Sequence, residues 1–206
     1  MQDEIQIVKN WLGQGSINIF GMPFAGKDTQ CGVLADLFGG EVVGGGQIFR
    51  NSIIPPHVKA IMESGDLVPV DDFIKIVLPY LSHDTFAGKP LMFSSLGKWF
   101  REIEGVLQAA AAAEHPVKAV VLIQITEDIA RDRHTAGSED RGARADDSAA
   151  VFDNRLAEFR EKTIPGIEIY RDKDLLIEVN GNQSPVEVTD EILGKLAAFV
   201  AAHPTS

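Results

Sequence analysis

The feature that most limits the possible folds is a glycine-bounded loop near the N-terminus, Gly21-x-x-x-x-Gly26-Lys27. A short apolar run, Ile17 to Phe20, is predicted to be a strand that leads into this loop, and a helix is predicted from Asp28 to Phe38. Glycines let the backbone wrap around an anion with its N–H groups pointing inward, and the helix N-terminus adds a positive end. The pattern therefore predicts a phosphate-binding loop in an α/β protein.

Four more short apolar runs alternate with predicted helices. The predicted strands are Glu41 to Val43, Pro90 to Phe93, Ala119 to Ile125 and Leu175 to Val179. The predicted helices are Asp3 to Leu12, Pro56 to Ser64, Val70 to Leu81, Lys98 to Ala113, Asp147 to Tyr170 and Val186 to Ala202. Pro165 is expected to kink or end the regular part of its helix, and Ser184 is the expected N-cap of the last one. A polar segment, His134 to Ala145, is predicted to be a mobile loop. The alternation predicts a single domain, a P-loop fold with a five-stranded parallel sheet and helices on both faces.

Composition limits the partners and the compartment. The net charge of −11 over 206 residues makes nucleic acid and anionic membranes unfavourable partners. No apolar run approaches the ~18 residues of a membrane span, and the acidic N-terminus lacks the pattern of a signal peptide. Cys31 is the single cysteine, so an internal disulfide is excluded, and we expect it buried behind the phosphate loop. We therefore expect a cytoplasmic protein with small-molecule ligands; a monomer is expected as well.

The stretch Gly21-Met22-Pro23-Phe24-Ala25-Gly26-Lys27-Asp28-Thr29-Gln30 resembles the phosphate loop of the adenylate kinase family, G-x-P-G-x-G-K-G-T-Q. Four further segments resemble the motifs of this family in the same order along the chain. They are Gly46-Gln47-Ile48-Phe49-Arg50, Gly65-Asp66-Leu67-Val68-Pro69, Arg144-Ala145-Asp146-Asp147, and Arg155-Leu156 followed by Thr163-Ile164-Pro165. Together the segments extend over nearly the whole chain.

The resemblance implies three functional parts and a reaction. A core would bind ATP with Mg²⁺, a helical lobe near residues 45–75 would bind a nucleoside monophosphate, and a short lid near residues 133–145 would close over both. The implied activity is an ATP-dependent nucleoside monophosphate kinase, with AMP as the favoured acceptor. A kinase for GMP, CMP or UMP and a nucleotide-binding sensor that has lost catalysis are the alternatives. The lid has no cysteine, which excludes a zinc-bearing lid.

The resemblance also implies residue roles, because phosphoryl transfer depends on positioning and on neutralised charge. Lys27, Arg144 and Arg155 would carry the transition-state charge as the lid closes and expels water. The residues expected to bind ATP are Gly21, Phe24, Ala25, Gly26, Lys27, Asp28, Thr29, Arg133 against the adenine, and Arg141 in place of a lid arginine that is absent at Gly137. Thr29 is also the candidate magnesium ligand. The residues expected to bind the acceptor are Gly46, Arg50, Val68, Lys98, Glu102, Arg144 and Arg155.

The chain departs from the family pattern at several positions. Phe24 and Asp28 stand where the family has glycine, and we expect Asp28 to cap the following helix. The family's D-G-F-P-R segment is absent: Ser94 replaces the aspartate that steadies the waters of magnesium, and Lys98 replaces the arginine. Glu102 replaces the glutamine that reads the acceptor base. The alternative for Glu102 is a solvated position on a helix beginning near Lys98.

Overall fold

Five parallel strands form one sheet at the centre of the protein, in the order β2-β3-β1-β4-β5. The structure is a computed structural model that describes residues 2–64, 69–141 and 149–203, including their side chains except those of residues 62–64 and 137–141. The strands are β1 (Ser16–Gly21), β2 (Glu41–Gly44), β3 (Leu91–Ser94), β4 (Val117–Gln124) and β5 (Leu176–Asn180). Each lies within two residues of its predicted bounds, so the predicted sheet is confirmed.

Helices connect the strands. They are α1 (Gln2–Leu12), α2 (Lys27–Phe38), α3 (Gly45–Asn51), α4 (Pro56–Ser64), α5 (Val70–Leu81), a 3₁₀ turn (Asp84–Phe86), α6 (Ile103–Ala112), α7 (Glu127–Arg141), α8 (Ala149–Glu158), a π-helical turn (Phe159–Thr163), α9 (Ile164–Asp172) and α10 (Pro185–Ala202). In the described part of the chain, no helix is both long and apolar enough to cross a bilayer.

Two apolar cores lie on opposite faces of the sheet, because successive side chains of a strand point to opposite sides. In β1, Ile17 and Ile19 join the core built with α1, α2, α8 and α10. The next residue, Phe20, joins the core built with α3, α5, α6 and α9. The predicted coverage of both faces is therefore confirmed. Cys31 is fully buried in the first core, and burial raises the pKa of its thiol to about 12, which makes it an unreactive packing residue as predicted.

The helix that was predicted to begin at Lys98 begins five residues later, at Ile103. Gly97 has φ +73°, a left-handed conformation that does not continue into a helix. The Glu102 carboxylate then accepts the N–H of Trp99 at 3.3 Å, and the Glu102 N–H donates to the Trp99 carbonyl at 2.9 Å. These bonds form a separate turn. The predicted boundary was wrong because side-chain and local backbone bonds compete with the helix.

The segment that was predicted to be a loop from His134 to Ala145 is helical as far as Arg141, at the end of α7. Helix α7 begins with Glu127 and Asp128, whose negative charges favour a helix N-terminus. A single internal glycine, Gly137, costs only about 1 kcal/mol relative to alanine, so the helix tolerates it. The remainder, residues 142–145, lies outside the described residues.

The helix is not broken at Pro165. A π-helical turn precedes this proline and connects α8 to α9. Helix continues from α8 through this turn into α9, and the Ile164 N–H bonds to the Phe159 carbonyl five residues earlier. Proline removes one donor and crowds the preceding turn, and a wider π turn relieves this crowding. The predicted N-cap of α10 is confirmed: Ser184 accepts the N–H of Glu187, whose carboxylate accepts the N–H of Ser184 in return.

Candidate active site

The loop between β1 and α2 has the shape that its glycines require. A Cβ atom on Gly21 would lie 2.8 Å from the Ile123 carbonyl and 2.9 Å from the Ala25 Cβ, so no larger residue fits. Gly26 has φ +93° at the start of α2, a conformation that glycine adopts without strain. The loop therefore presents its backbone N–H groups at the N-terminus of a twelve-residue helix, which is a favourable anion site.

Lys27 is the first residue of α2, and its side chain lies over this loop. Its ammonium group donates to the Met22 carbonyl at 2.9 Å, which folds the side chain back over the loop. Burial lowers the pKa of Lys27 to about 8; neighbouring Asp28 opposes this shift, while the positive charges of Lys98 and Arg155 add to it. Lys27 is therefore mostly protonated at neutral pH but incompletely compensated, and an anion bound in the loop would supply the missing charge.

Phe24 adopts a glycine conformation at the position where the family has glycine. Its φ is +63°, which costs a non-glycine residue about 1–2 kcal/mol. The ring lies 5.1 Å from the ring of His134 and 5.7 Å from that of Phe152, in an aromatic cluster with α7 and α8. Arg131 and Asp153 form an ion pair at 2.8 Å between the same two helices. Packing between the loop and these helices therefore offsets the strain at Phe24.

Asp28 does not cap helix α2, so that expectation was wrong. The N-cap is Gly26, and it has no side-chain cap. Asp28 lies in the first turn, exposed, and accepts a hydrogen bond from the Ser94 hydroxyl at 2.6 Å. Ser94 is the last residue of β3. The contact therefore joins two of the positions at which the chain departs from the family pattern.

A cleft of about 160 Å³ opens beside the loop, and its lining includes Gly26, Thr29, Arg133, Gly181 and Gln183. The Arg133 guanidinium donates to the Gly181 carbonyl at 2.8 Å and to the Phe24 carbonyl at 3.3 Å. Arg133 thus joins the phosphate loop to the segment after β5 and forms one wall of the cleft. This arrangement fits the predicted place of Arg133 against a nucleotide base.

Sequence reasoning missed Gly181 and Gln183. Both follow β5, and the carboxyl ends of parallel strands share one edge of a sheet, where ligands bind in open α/β folds. That edge also carries the loop after β1, so the rule could have identified this segment. Gln30, at the end of the loop motif, was not given a role either. It is buried and donates to the Pro185 carbonyl at 2.9 Å, which fixes the start of α10 beside the cleft.

The predicted acceptor residues are only partly brought together. Lys98, in the turn after β3, and Arg155, on α8, are both exposed and both act electrostatically on Lys27. Arg50 is exposed on α3 with its guanidinium over Gly46, 3.0 Å from where a Cβ of that glycine would lie. Three separate segments therefore place positive charge at the mouth of the loop, while Arg50 lies on the helical segment predicted to bind the acceptor.

Glu102 is half-buried in its own turn, so the alternative of a solvated residue on a helix is wrong. Burial raises the pKa of its carboxyl group, and hydrogen bonds from the backbone of Trp99 and Lys98 oppose the shift. The role of Glu102 in reading a base stays a prediction. Val68 and Arg144 lie outside the described residues, as does the side chain of Arg141, whose backbone ends α7.

The first turn of α2 could hold a metal ion together with bound phosphates. Thr29 and Asp28 are exposed there and offer a hydroxyl and a carboxylate oxygen. Magnesium prefers such hard oxygen ligands and is usually bound through one or two carboxylates plus substrate phosphates. The residues present therefore fit the predicted Mg²⁺, with Thr29 as the predicted ligand.

The architecture matches that of a solved kinase. A gluconokinase from Sinorhizobium meliloti 1021 superposes with a TM-score of 0.55 at 17% identity, over 92% of this chain and 95% of that chain. No family model matches the chain. Fold and phosphate loop together define an α/β protein of the P-loop fold.

Two related proteins identify the family to which this P-loop protein belongs. An adenylate kinase from Parasynechococcus marenigrum (strain WH8102) is 30% identical over 177 residues, which cover 84% of this chain and 93% of the relative. An adenylate kinase from Corynebacterium glutamicum (strain R) is 28% identical over 183 residues, covering 86% of this chain and 98% of the relative. The chain belongs to the adenylate kinase family, and it is accordingly a nucleotide kinase, a phosphotransferase that binds small-molecule nucleotides.

Proposed function

We propose that the protein transfers the γ-phosphoryl group of ATP to a nucleoside monophosphate, with AMP as the preferred acceptor and two ADP as the products. One observation carries this proposal. Lys27, Lys98 and Arg155 come from the phosphate loop, the segment after β3 and helix α8, and the positive charges of Lys98 and Arg155 both lower the pKa of Lys27, so they lie near its ammonium group. Converging cations are what transfer between two phosphates demands.

ATP would occupy the loop and the adjoining cleft. The backbone N–H groups from Gly26 to Thr29, at the N-terminus of α2, would hold its phosphates, and the base would lie in the cleft against Arg133. Arg141, whose backbone ends α7, would bind the phosphates as part of the lid. The lid, residues 133–145, then consists of the last turns of α7 and the segment that follows them.

The acceptor would bind on the other side of the loop, in a helical lobe near residues 45–75. Arg50 and Lys98 hold its phosphate, and Gly46, Val68 and Glu102 surround its base. Adenine needs one hydrogen-bond acceptor for its 6-amino group, and the Glu102 carboxylate has a second oxygen besides the one that bonds to Trp99. The activity named for the relatives also favours AMP.

The reaction needs no general base, because the attacking phosphate oxygen is already ionised. That oxygen forms a bond to the γ-phosphorus while the bond to the β–γ bridging oxygen breaks, and the bridging electron pair stays on ADP. Lys27, Arg155 and Arg144 neutralise the charge that develops on the transferred group. When bound, Mg²⁺ supplies additional neutralisation of the phosphate oxygens, and Thr29 contributes a ligand.

The setting that we propose is a cytoplasmic monomer acting on small molecules. The lone cysteine is buried and unreactive, which fits a reducing compartment. The net charge of −11 disfavours nucleic acid as a partner.

The test is to measure ADP formation from ATP and Mg²⁺ with AMP, GMP, CMP and UMP side by side. Gluconate serves as an acceptor that is not a nucleotide, and Lys27→Ala serves as the inactive control. We expect turnover with AMP above the other three. Turnover with gluconate alone would reject the proposal, and ATP binding without turnover of any acceptor would instead identify a sensor.

A further inference from the structure

Two residues that are unusual in the chain contact each other at the phosphate loop. Asp28 stands where the phosphate-loop motif of the family has glycine. Ser94 stands where the D-G-F-P-R segment of the family has aspartate. Although they are 66 positions apart, the Ser94 hydroxyl donates to the Asp28 carboxylate at 2.6 Å. A charge-assisted bond of this length holds a carboxylate in one orientation. Position and orientation of the Asp28 charge are therefore both fixed by the fold.

This carboxylate is in an unfavourable place for a nucleotide that binds without a cation. Asp28 immediately follows Lys27 and lies in the first turn of α2, next to the loop. A negative charge at this place repels the phosphates of a bound nucleotide. The Asp28 carboxylate favours nucleotide binding only when a divalent cation is bound together with the phosphates, because the cation then neutralises the repulsion.

We propose that Asp28, held by Ser94, supplies the carboxylate that positions the hydrated Mg²⁺ of the bound nucleotide. The carboxylate comes from the first turn of α2, beside Thr29, instead of from the end of β3. Ser94 acts through Asp28 as a positioning residue, because its own hydroxyl donates to the carboxylate. The inference rests on the proposed function, since it requires that the loop bind ATP.

Nucleotide binding with and without metal tests the proposal independently of turnover. The non-hydrolysable ATP analogue AMPPNP is titrated calorimetrically into the parent, Asp28→Asn and Asp36→Asn, once in EDTA and once in Mg²⁺. Asp36 is exposed on the same helix, so its variant is matched in charge. In EDTA, Asp28→Asn should bind AMPPNP about three- to tenfold more tightly than the parent, because a repulsive charge is removed.

In Mg²⁺ the order should reverse, so that the gain in affinity due to the metal falls about tenfold or more in Asp28→Asn. Asp36→Asn should behave as the parent in both media. An equal change in EDTA and in Mg²⁺, or no change in either, would overturn the proposal, since it would mean a general electrostatic or structural role. If the parent bound no AMPPNP in either medium, the proposed function itself would fail, which is a different result.

A reciprocal exchange separates metal positioning from damage to the loop. Asp28→Gly alone should lose the gain due to Mg²⁺, and Asp28→Gly combined with Ser94→Asp should recover most of it by returning a carboxylate from the strand. With Mn²⁺ in place of Mg²⁺, the paramagnetic resonance spectrum of the AMPPNP complex should differ between the parent and Asp28→Gly. Thermal unfolding verifies that each variant folds. Failure of the double variant to recover the metal effect, with its fold intact, would contradict the proposed exchange.

Discussion

The two sides of the proposed site, the ATP side and the acceptor side, are built differently. On the ATP side, the groups are fixed by bonds to other segments: Lys27 to the Met22 carbonyl, Arg133 to the carbonyls of Phe24 and Gly181. On the proposed acceptor side, Arg50 is exposed near the end of the short helix α3, and Lys98 is exposed in the segment between β3 and α6. The first region is organised before any ligand binds, whereas the charges of the second must be ordered by the ligand, at a cost in entropy.

This difference implies that the two sides contribute differently to turnover and to the choice of acceptor. A preorganised charge acts fully in the transition state and costs no reorganisation during the reaction, so changes on the ATP side should affect turnover most. Exposed charges contribute less individually, since solvent screens them. Changes on the acceptor side should therefore affect which monophosphate is used more than how fast the best one reacts.

The largest effect is expected from Lys27→Ala, which should lower turnover about a thousandfold or more. The variant removes the one side-chain charge held inside the loop. Turnover is measured by coupled ADP formation, and thermal unfolding serves as the control for the fold. A rate within tenfold of the parent would mean that the loop does not face the transferred phosphate, and the division between the two sides would be lost.

Arg155→Ala should lower kcat about a hundredfold and leave the dissociation constant of ATP nearly unchanged. The reason is that the proposed role of Arg155 is to stabilise the transferred phosphoryl group in the transition state and not to bind ATP in the ground state. A pH signature accompanies this loss. Lys27 loses its charge as the pH rises through its pKa of about 8, and Arg155 helps to lower that pKa. The alkaline decline of AMPPNP binding should therefore move to higher pH in the variant. A normal kcat with weakened ATP binding would contradict this role and would make Arg155 a residue that binds ATP only in the ground state.

The same division explains what could be read from the sequence. The strands and the loop between β1 and α2 follow from local patterns, so the sheet and the position of Gly21 in that loop were predicted correctly, while the binding roles of the loop residues stay predictions. Glu102 was ambiguous because its carboxylate bonds to the backbone of its own turn, which no periodicity reveals. The bond between Asp28 and Ser94 depends on two strands being neighbours in the sheet, and sequence patterns give the order of strands along the chain but not across the sheet.

The preorganisation of the ATP side is itself testable at Phe24, where two effects oppose each other. Phe24→Gly removes the strain of a positive φ but also loses the contacts with His134 and Phe152. We expect a net decrease of about 1–2 kcal/mol in the free energy of unfolding. Phe24→Ala loses the same ring without the freedom of glycine, so it should be about 1 kcal/mol less stable than Phe24→Gly. Urea unfolding measures the free energy of unfolding of both variants. If Phe24→Ala were more stable than Phe24→Gly, the loop would carry no backbone strain at this position.

The smallest effect on the best substrate is expected from Glu102→Gln, and it tests the acceptor side. If Glu102 reads adenine through one oxygen, the amide retains that acceptor, and kcat/KM for AMP should stay within about threefold of the parent. Guanine would use both carboxylate oxygens, so the amide would place one donor against another, at about 1–3 kcal/mol, or roughly ten- to two-hundredfold. Whatever activity the parent has with GMP should therefore fall much further than its activity with AMP.

The matched control is Glu104→Gln, two residues later on an exposed position of α6, which should leave the acceptor profile unchanged. ATP binding should be the same in both variants, since neither residue lies on the ATP side. An acceptor profile that is unchanged in Glu102→Gln as well would limit the residue to holding the turn at Trp99. In that case the base would be read elsewhere, and the acceptor side would share the ATP side's dependence on fixed backbone contacts.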